Sequence, residues 1–150
     1  MSQQPAKNPV GVVLMAYGTP SGPGAVEAYY TDIRRGRPPT PEQLADLVRR
    51  YDAIGGVSPL AERTAAQGAR LQGELDARRP GRFDVGLGLK HAEPTIEAGV
   101  AALAGRGADE VVGLVLAPHW SALSVGQYLE RAGAAAFAAG LPFRGVQSWH

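Results

Sequence analysis

A chain of 150 residues with 45% hydrophobic and 19% charged residues, at a net charge of +1, has the composition of a single soluble globular domain. That near-neutral balance gives no general electrostatic case for nucleic acid or an anionic membrane, and cysteine is absent, which excludes disulfides, thiolate metal sites and cysteine nucleophiles. Residues 1–9 are polar with no apolar run behind them, so they read as a loose tail and not as a signal peptide. Val10 to Met15 (VGVVLM) is a short, valine-rich apolar run, the pattern of a strand buried on both faces of a parallel sheet. Val26, Tyr29, Tyr30 and Ile33 then recur at helical spacing. Thr40 caps a second helix, with Pro41 in its first turn, Gln43 completing a capping box, and Leu44, Leu47, Val48 and Tyr51 on one face. Ser58-Pro59 repeats the cap-then-proline start, and a third helix runs to about Arg78 before Pro80-Gly81.

The second half alternates regularly: strand Phe83 to Leu89, helix Thr95 to Arg106, strand Val111 to Leu116, helix Val125 to Ala139, strand Phe143 to Ser148. Strands separated by helices predict an α/β fold, an open parallel four-stranded sheet of flavodoxin-like, doubly wound type with helices on both faces. The alanine-rich stretch Ala132 to Leu141 falls well short of the ~20 residues a membrane span needs, so no transmembrane segment is expected, and a cytoplasmic setting is. The chain stops at Trp149-His150, just after a strand, where this architecture normally continues. It reads as one domain of something longer.

Open parallel sheets bind ligands beyond the carboxyl ends of their strands. Four segments lie there: Ala16 to Pro20, Lys90 to Pro94, Ala117 to Ser121, and Trp149-His150, which together hold all three histidines and both tryptophans. A nucleotide site is disfavoured, because Gly18, Gly22 and Gly24 have neither nucleotide-loop spacing and Pro20 and Pro23 remove amide donors. Ser58 and Ser121 lack a nucleophile elbow. Arg34, Arg35 and Arg37 cluster after the first helix, and Arg49 and Arg50 close the second. Guanidinium forks suit carboxylates, yet a cation at a helix end is also a plain stabiliser of the helix dipole. At about 100° per residue Arg50 borders the apolar face while Arg49 points away from it. Tyr17, His91 and His119 each have an equally ordinary reading as packed, hydrogen-bonded structural residues. Tyr128, three residues after Val125, is predicted to be buried. The residues alone describe a cleft walled by tyrosine, histidine, arginine and aromatic groups.

The motifs LMAYGTP (14–20), YYTDIRRGRPPTPEQL (29–44), RRYDAIGGVSPLAERT (49–64), GLKHAEP (88–94) and VLAPHWSALSVGQY (115–128) resemble the ferrochelatases of Gram-positive and related bacteria, in the same order, from about Val10 to the end. Members are roughly twice as long, with two similar α/β domains enclosing the tetrapyrrole, and many prefer coproporphyrin III to protoporphyrin IX. The resemblance implies insertion of ferrous iron into a porphyrin during haem biosynthesis, with this chain as the N-terminal, porphyrin-anchoring half. Iron and porphyrin are then substrates, haem or iron coproporphyrin the product, and no tightly bound cofactor is required. It further implies that Tyr17 approaches the central metal as an axial oxygen ligand, and that Arg34, Arg50, Tyr51, Ser58 and Tyr128 contact the porphyrin or its carboxylates. The family's principal histidine and glutamate belong to its other half, so no residue here inherits their role. Trp120, Ala122, Leu123 and Asp32 depart from the family pattern. Two competing readings are a short homodimeric class II chelatase that pairs two copies of a half-length chain, and a non-catalytic tetrapyrrole or haem carrier.

Overall fold

The computed structural model describes residues 8–150. Residues 1–7 of the expected tail lie outside them, while Asn8 and Pro9 are already tied to the body: the Asn8 carbonyl accepts from the Arg82 guanidinium at 2.6 Å and the Pro9 carbonyl from the Asp109 N–H at 3.2 Å.

β1 (Val10–Ala16) is the centre of the sheet because its apolar run leaves no polar side chain to reach water, and Val10 to Met15 are all buried. It pairs in parallel with β2 (Phe83–Leu89) on one side and β3 (Glu110–Val115) on the other, Val10 standing opposite both Phe83 and Glu110. β4 (Phe143–Val146) extends the sheet, giving the order β2-β1-β3-β4. The four-stranded α/β sheet expected from the sequence is therefore present. β4 ends at Val146 and not at Ser148, because its one partner among the described residues, β3, ends at Val115 and the last matched pair is Leu114 with Val146.

The chain has five α-helices among the described residues: α1 (Val26–Ile33), α2 (Pro41–Asp52), α3 (Leu60–Arg78), α4 (Ile96–Gly105) and α5 (Gln127–Ala138). A strand's side chains alternate between faces, and right-handed crossovers that run in opposite directions along the sheet, β1 to β2 through α3 and β2 to β3 through α4, place their helices on opposite sides. Gly68 of α3 accordingly lies against Leu14 and Leu87, whereas Leu103 of α4 lies against Gly11 and Gly86. The larger core is on the α4/α5 side, where Val13, Met15, Ile96, Val100, Leu103 and Val111 are fully enclosed. No helix of the described residues is long and apolar enough to cross a membrane.

The helix starts follow local chemistry. Thr40 Oγ1 accepts from the Gln43 N–H at 3.3 Å while Gln43 Oε1 accepts from the Thr40 N–H at 3.0 Å, the capping box read from the sequence. Thr40→Ala is expected to cost about 1 kcal/mol and to lower the melting temperature by roughly 3 °C, measurable by circular dichroism. Thr95 caps α4 with its hydroxyl alone, Oγ1 accepting from the Ala98 N–H at 3.1 Å, while its own N–H donates to Glu93 Oε2 at 3.2 Å. α5 starts two residues later than expected, after a π turn over Ala122–Gly126, and α3 starts at Leu60, whose N–H is accepted by Ser58 Oγ at 3.2 Å.

Candidate functional site

From β1 the chain turns one way to reach β2 and from β3 the other way to reach β4, so the loops above the carboxyl ends of these strands diverge and leave a concave rim. The loops after β1 and β2 are sewn together there. The Lys90 N–H donates to the Ala16 carbonyl at 2.9 Å, the His91 N–H to the Tyr17 carbonyl at 3.0 Å, and the Leu89 N–H to the Pro94 carbonyl at 2.8 Å, closing the loop on itself. Gly18 makes this approach possible: its φ is +92°, and a Cβ there would stand 2.8 Å from that of Ala92. Tyr17, just before this turn, remains 44% exposed. Its ring meets that of His91 edge-on, with centroids 4.6 Å apart. His91 Nδ1 is in turn 2.6 Å from Asp32 Oδ2 of α1.

Phenols gather around this rim. Tyr51, at the end of α2, sits with its hydroxyl 3.4 Å from Thr19 Oγ1, and the Tyr29 hydroxyl donates to the Gly18 carbonyl at 3.4 Å. Tyr128 is buried as expected, with the Lys90 ammonium 5.2 Å from its ring centroid. Burial, followed by the Asp32 carboxylate and Tyr51, pushes the Tyr17 phenol above its ordinary range. Burial, followed by Tyr17, pushes Tyr128 up to about 12, and burial with Tyr51 alongside pushes Tyr29 up as well. At neutral pH these groups are uncharged phenols: they offer oxygen and a hydrogen bond but do not act as bases. The Lys90 ammonium donates to Gln127 Oε1 at 2.6 Å, and burial, then Arg131 and Arg35, lower its pKa.

The structure places Tyr17 beside His91, Tyr51 beside Thr19 and Tyr128 beside Lys90, all on this rim. Arg34, Arg50 and Ser58 are instead engaged locally. Arg34 Nε donates to the Arg37 carbonyl at 3.3 Å and its guanidinium lies 5.6 Å from the Tyr30 ring centroid, at a helix end reversed by Arg35 (φ 58°) and Gly36. Arg50 holds Asp46 Oδ2 at 2.6 Å and Arg49 holds Asp46 Oδ1 at 2.7 Å, and both side chains are 74% exposed. The helical-wheel distinction between them is therefore not realised. One carboxylate three and four residues upstream draws both guanidiniums to its side, and the hydrogen bond from Arg49, then the charge of Arg50, holds Asp46 below the ordinary carboxylate range. Ser58 Oγ serves the start of α3.

A cavity of about 580 Å³ opens beside Tyr17, lined among others by Thr19, Tyr29, Asp32, Lys90, His91 and Arg131. None of the six residues expected to bind substrate lines it. Arg131 grips Glu97 with two bonds of 2.8 Å and donates to the Lys90 carbonyl at 3.0 Å, so α4, α5 and the β2 loop meet at this one guanidinium. Arg131 follows Tyr128 by three residues on α5, a helix-neighbour signal that pointed toward the same rim. Tyr29 was legible only as part of an apolar helix face. At the other end of the rim the Trp149 indole donates to the Val115 carbonyl at 2.8 Å, and the rings of His119 and His150 lie 4.7 Å apart. Among the described residues no group of three or more histidine, aspartate or glutamate side chains is arranged to hold a metal ion.

Comparison with known proteins matches residues 9–150 to a family model described as Ferrochelatase. The chain is 46% identical over 146 residues to the coproporphyrin III ferrochelatase of Bacillus mycoides, covering 96% of this chain and 47% of that protein. It is 45% identical over 145 residues to the enzyme of that name from Oceanobacillus iheyensis, covering 96% and 46%, and 46% identical over 147 residues to that of a Geobacillus strain, covering 97% and 47%. It spans about half the length of the curated relatives it matches.

Proposed function

This chain belongs to the ferrochelatase family, and on that premise we propose that it supplies the porphyrin-anchoring half of an enzyme that inserts ferrous iron into coproporphyrin III. The observation that carries this reading is the half-exposed Tyr17 phenol at the strand-end rim, backed by His91 and set among other uncharged phenols. Metal insertion replaces two pyrrole protons inside a flat ring, so one face needs a base and the other a group that accepts the metal without competing for those protons. A phenol held protonated suits the second role. Arg34, Arg50, Tyr51, Ser58 and Tyr128 hold the macrocycle or its acidic arms and so restrict its orientation. The base belongs to the half of the relatives that this chain does not span. Iron and porphyrin enter as substrates, with no resident cofactor, and the absence of cysteine accords with work in a reducing cytoplasm.

The acidic arms provide the test. Because Arg50 is paired with Asp46, a propionate shares or competes for that guanidinium, which reduces the net gain. Arg50→Ala is therefore expected to weaken coproporphyrin III binding by roughly tenfold and to leave the tetramethyl ester unaffected, as read by fluorescence titration. Equal losses for acid and ester would reduce Arg50 to a helix-end charge.

A further inference from the structure

We propose that Asp32 and His91 form a positioning pair for Tyr17, which fixes the direction in which its phenol faces the centre of a bound macrocycle. The inference rests on the reading of Tyr17 as the metal-facing group. Its three members come from three separate elements, Tyr17 from the end of β1, His91 from the loop after β2 and Asp32 from α1. A tyrosine 44% exposed on a rim has several rotamers open to it, and the imidazole ring, its centroid 4.6 Å from that of the phenol, removes part of that freedom. An imidazole can itself rotate about its last torsion. The carboxylate at 2.6 Å from Nδ1 prevents this by accepting a hydrogen bond from Nδ1–H, which favours one ring orientation and the tautomer protonated there. His91 has little room to evade the constraint, since its side chain is only 13% exposed and its backbone N–H is bonded to the Tyr17 carbonyl at 3.0 Å. The carboxylate is the freer partner, at 61% exposed, so it can be changed without opening the core.

The test is the iron spectrum of the ferric coproporphyrin III complex, since a merely structural tie between α1 and the β2 loop leaves the iron's ligand geometry unchanged. Ferric iron is acidic enough to displace the phenol proton to solvent as the oxygen binds, so the unmodified protein is expected to show one phenolate-to-iron charge-transfer band and one high-spin species by electron paramagnetic resonance. Asp32→Ala and His91→Ala should each split that signal into two or more species and broaden the band. Asp32→Asn, which keeps an acceptor for Nδ1, should restore a single species. His91→Ala leaves the backbone bond to Tyr17 in place, so it carries the test should Asp32→Ala fail to fold. A single unchanged species in both alanine variants, with the band abolished by Tyr17→Phe, would overturn the positioning role and leave Tyr17 as the ligand. A band that survives Tyr17→Phe removes the ligand reading, and the positioning pair with it.

Discussion

Gly99→Ala is expected to destabilise the protein by about 3 kcal/mol, the upper end of what overpacking costs, and to lower the melting temperature by roughly 10 °C. α4 lies so flat on the sheet that a Cβ on Gly99 would run into the Leu87 carbonyl, with the Leu87 carbonyl carbon 3.0 Å away and Gly88 Cα 3.3 Å away. These are backbone atoms, and they cannot yield as a side-chain tip would. β2 is matched to β1 along its full length, so shifting Leu87 and Gly88 disturbs their pairing with Leu14 and Met15. The damage would also reach the rim, because β2 delivers Lys90 and His91. Gly105 of the same helix has nothing within 4 Å of its Cβ position, and Gly105→Ala should be neutral or slightly stabilising. Thermal unfolding followed by circular dichroism separates the two; similar melting temperatures would mean that α4 does not sit this close to β2.

Tyr17→Phe is expected to abolish the phenolate-to-iron band of the ferric coproporphyrin III complex while leaving stability within ~0.5 kcal/mol. The Tyr17 hydroxyl makes no hydrogen bond within the described residues, whereas its ring is the part that meets His91, and phenylalanine keeps that ring. The substitution thus removes the oxygen and little else. On the proposed reading the acidic arms are held by other side chains, so affinity for metal-free coproporphyrin III should hold and only the iron complex should change. A spectrum identical to that of the unmodified protein would show that another group faces the metal.

Much of the fold was legible in local chemistry. VGVVLM had the pattern of a strand shielded on both faces, and Thr40 with Gln43 announced a helix start in a way that needs no tertiary partner, whereas Thr95, read as the first residue of its helix, is instead the cap. The rim was legible as well, because alternating strands and helices dictate which loops gather at one edge. The contacts within the rim were not. Asp32 and His91 are separated by 59 residues, and Lys90 reaches Gln127 over 37, so their meeting depends on strand order and register, which periodicity does not encode. Arg49 and Arg50 failed for a different reason. A wheel places side chains by angle alone, whereas long, flexible guanidiniums follow the nearest carboxylate, here Asp46. The sequence motifs likewise pointed to Tyr17, Tyr51 and Tyr128 but gave no sign that a separate cavity, lined by Thr19, Asp32, His91 and Arg131, adjoins them.

The sewing of the β1 and β2 exits has a thermodynamic consequence. Three backbone amides, Leu89, Lys90 and His91, are already committed to carbonyl partners before anything arrives. A visitor to this edge meets a surface whose torsional freedom was removed when the protein folded, so docking on this side involves little further ordering entropy. Selectivity can then arise from shape, because a stiff wall rejects a poorly matched ring where a pliable one would wrap around it.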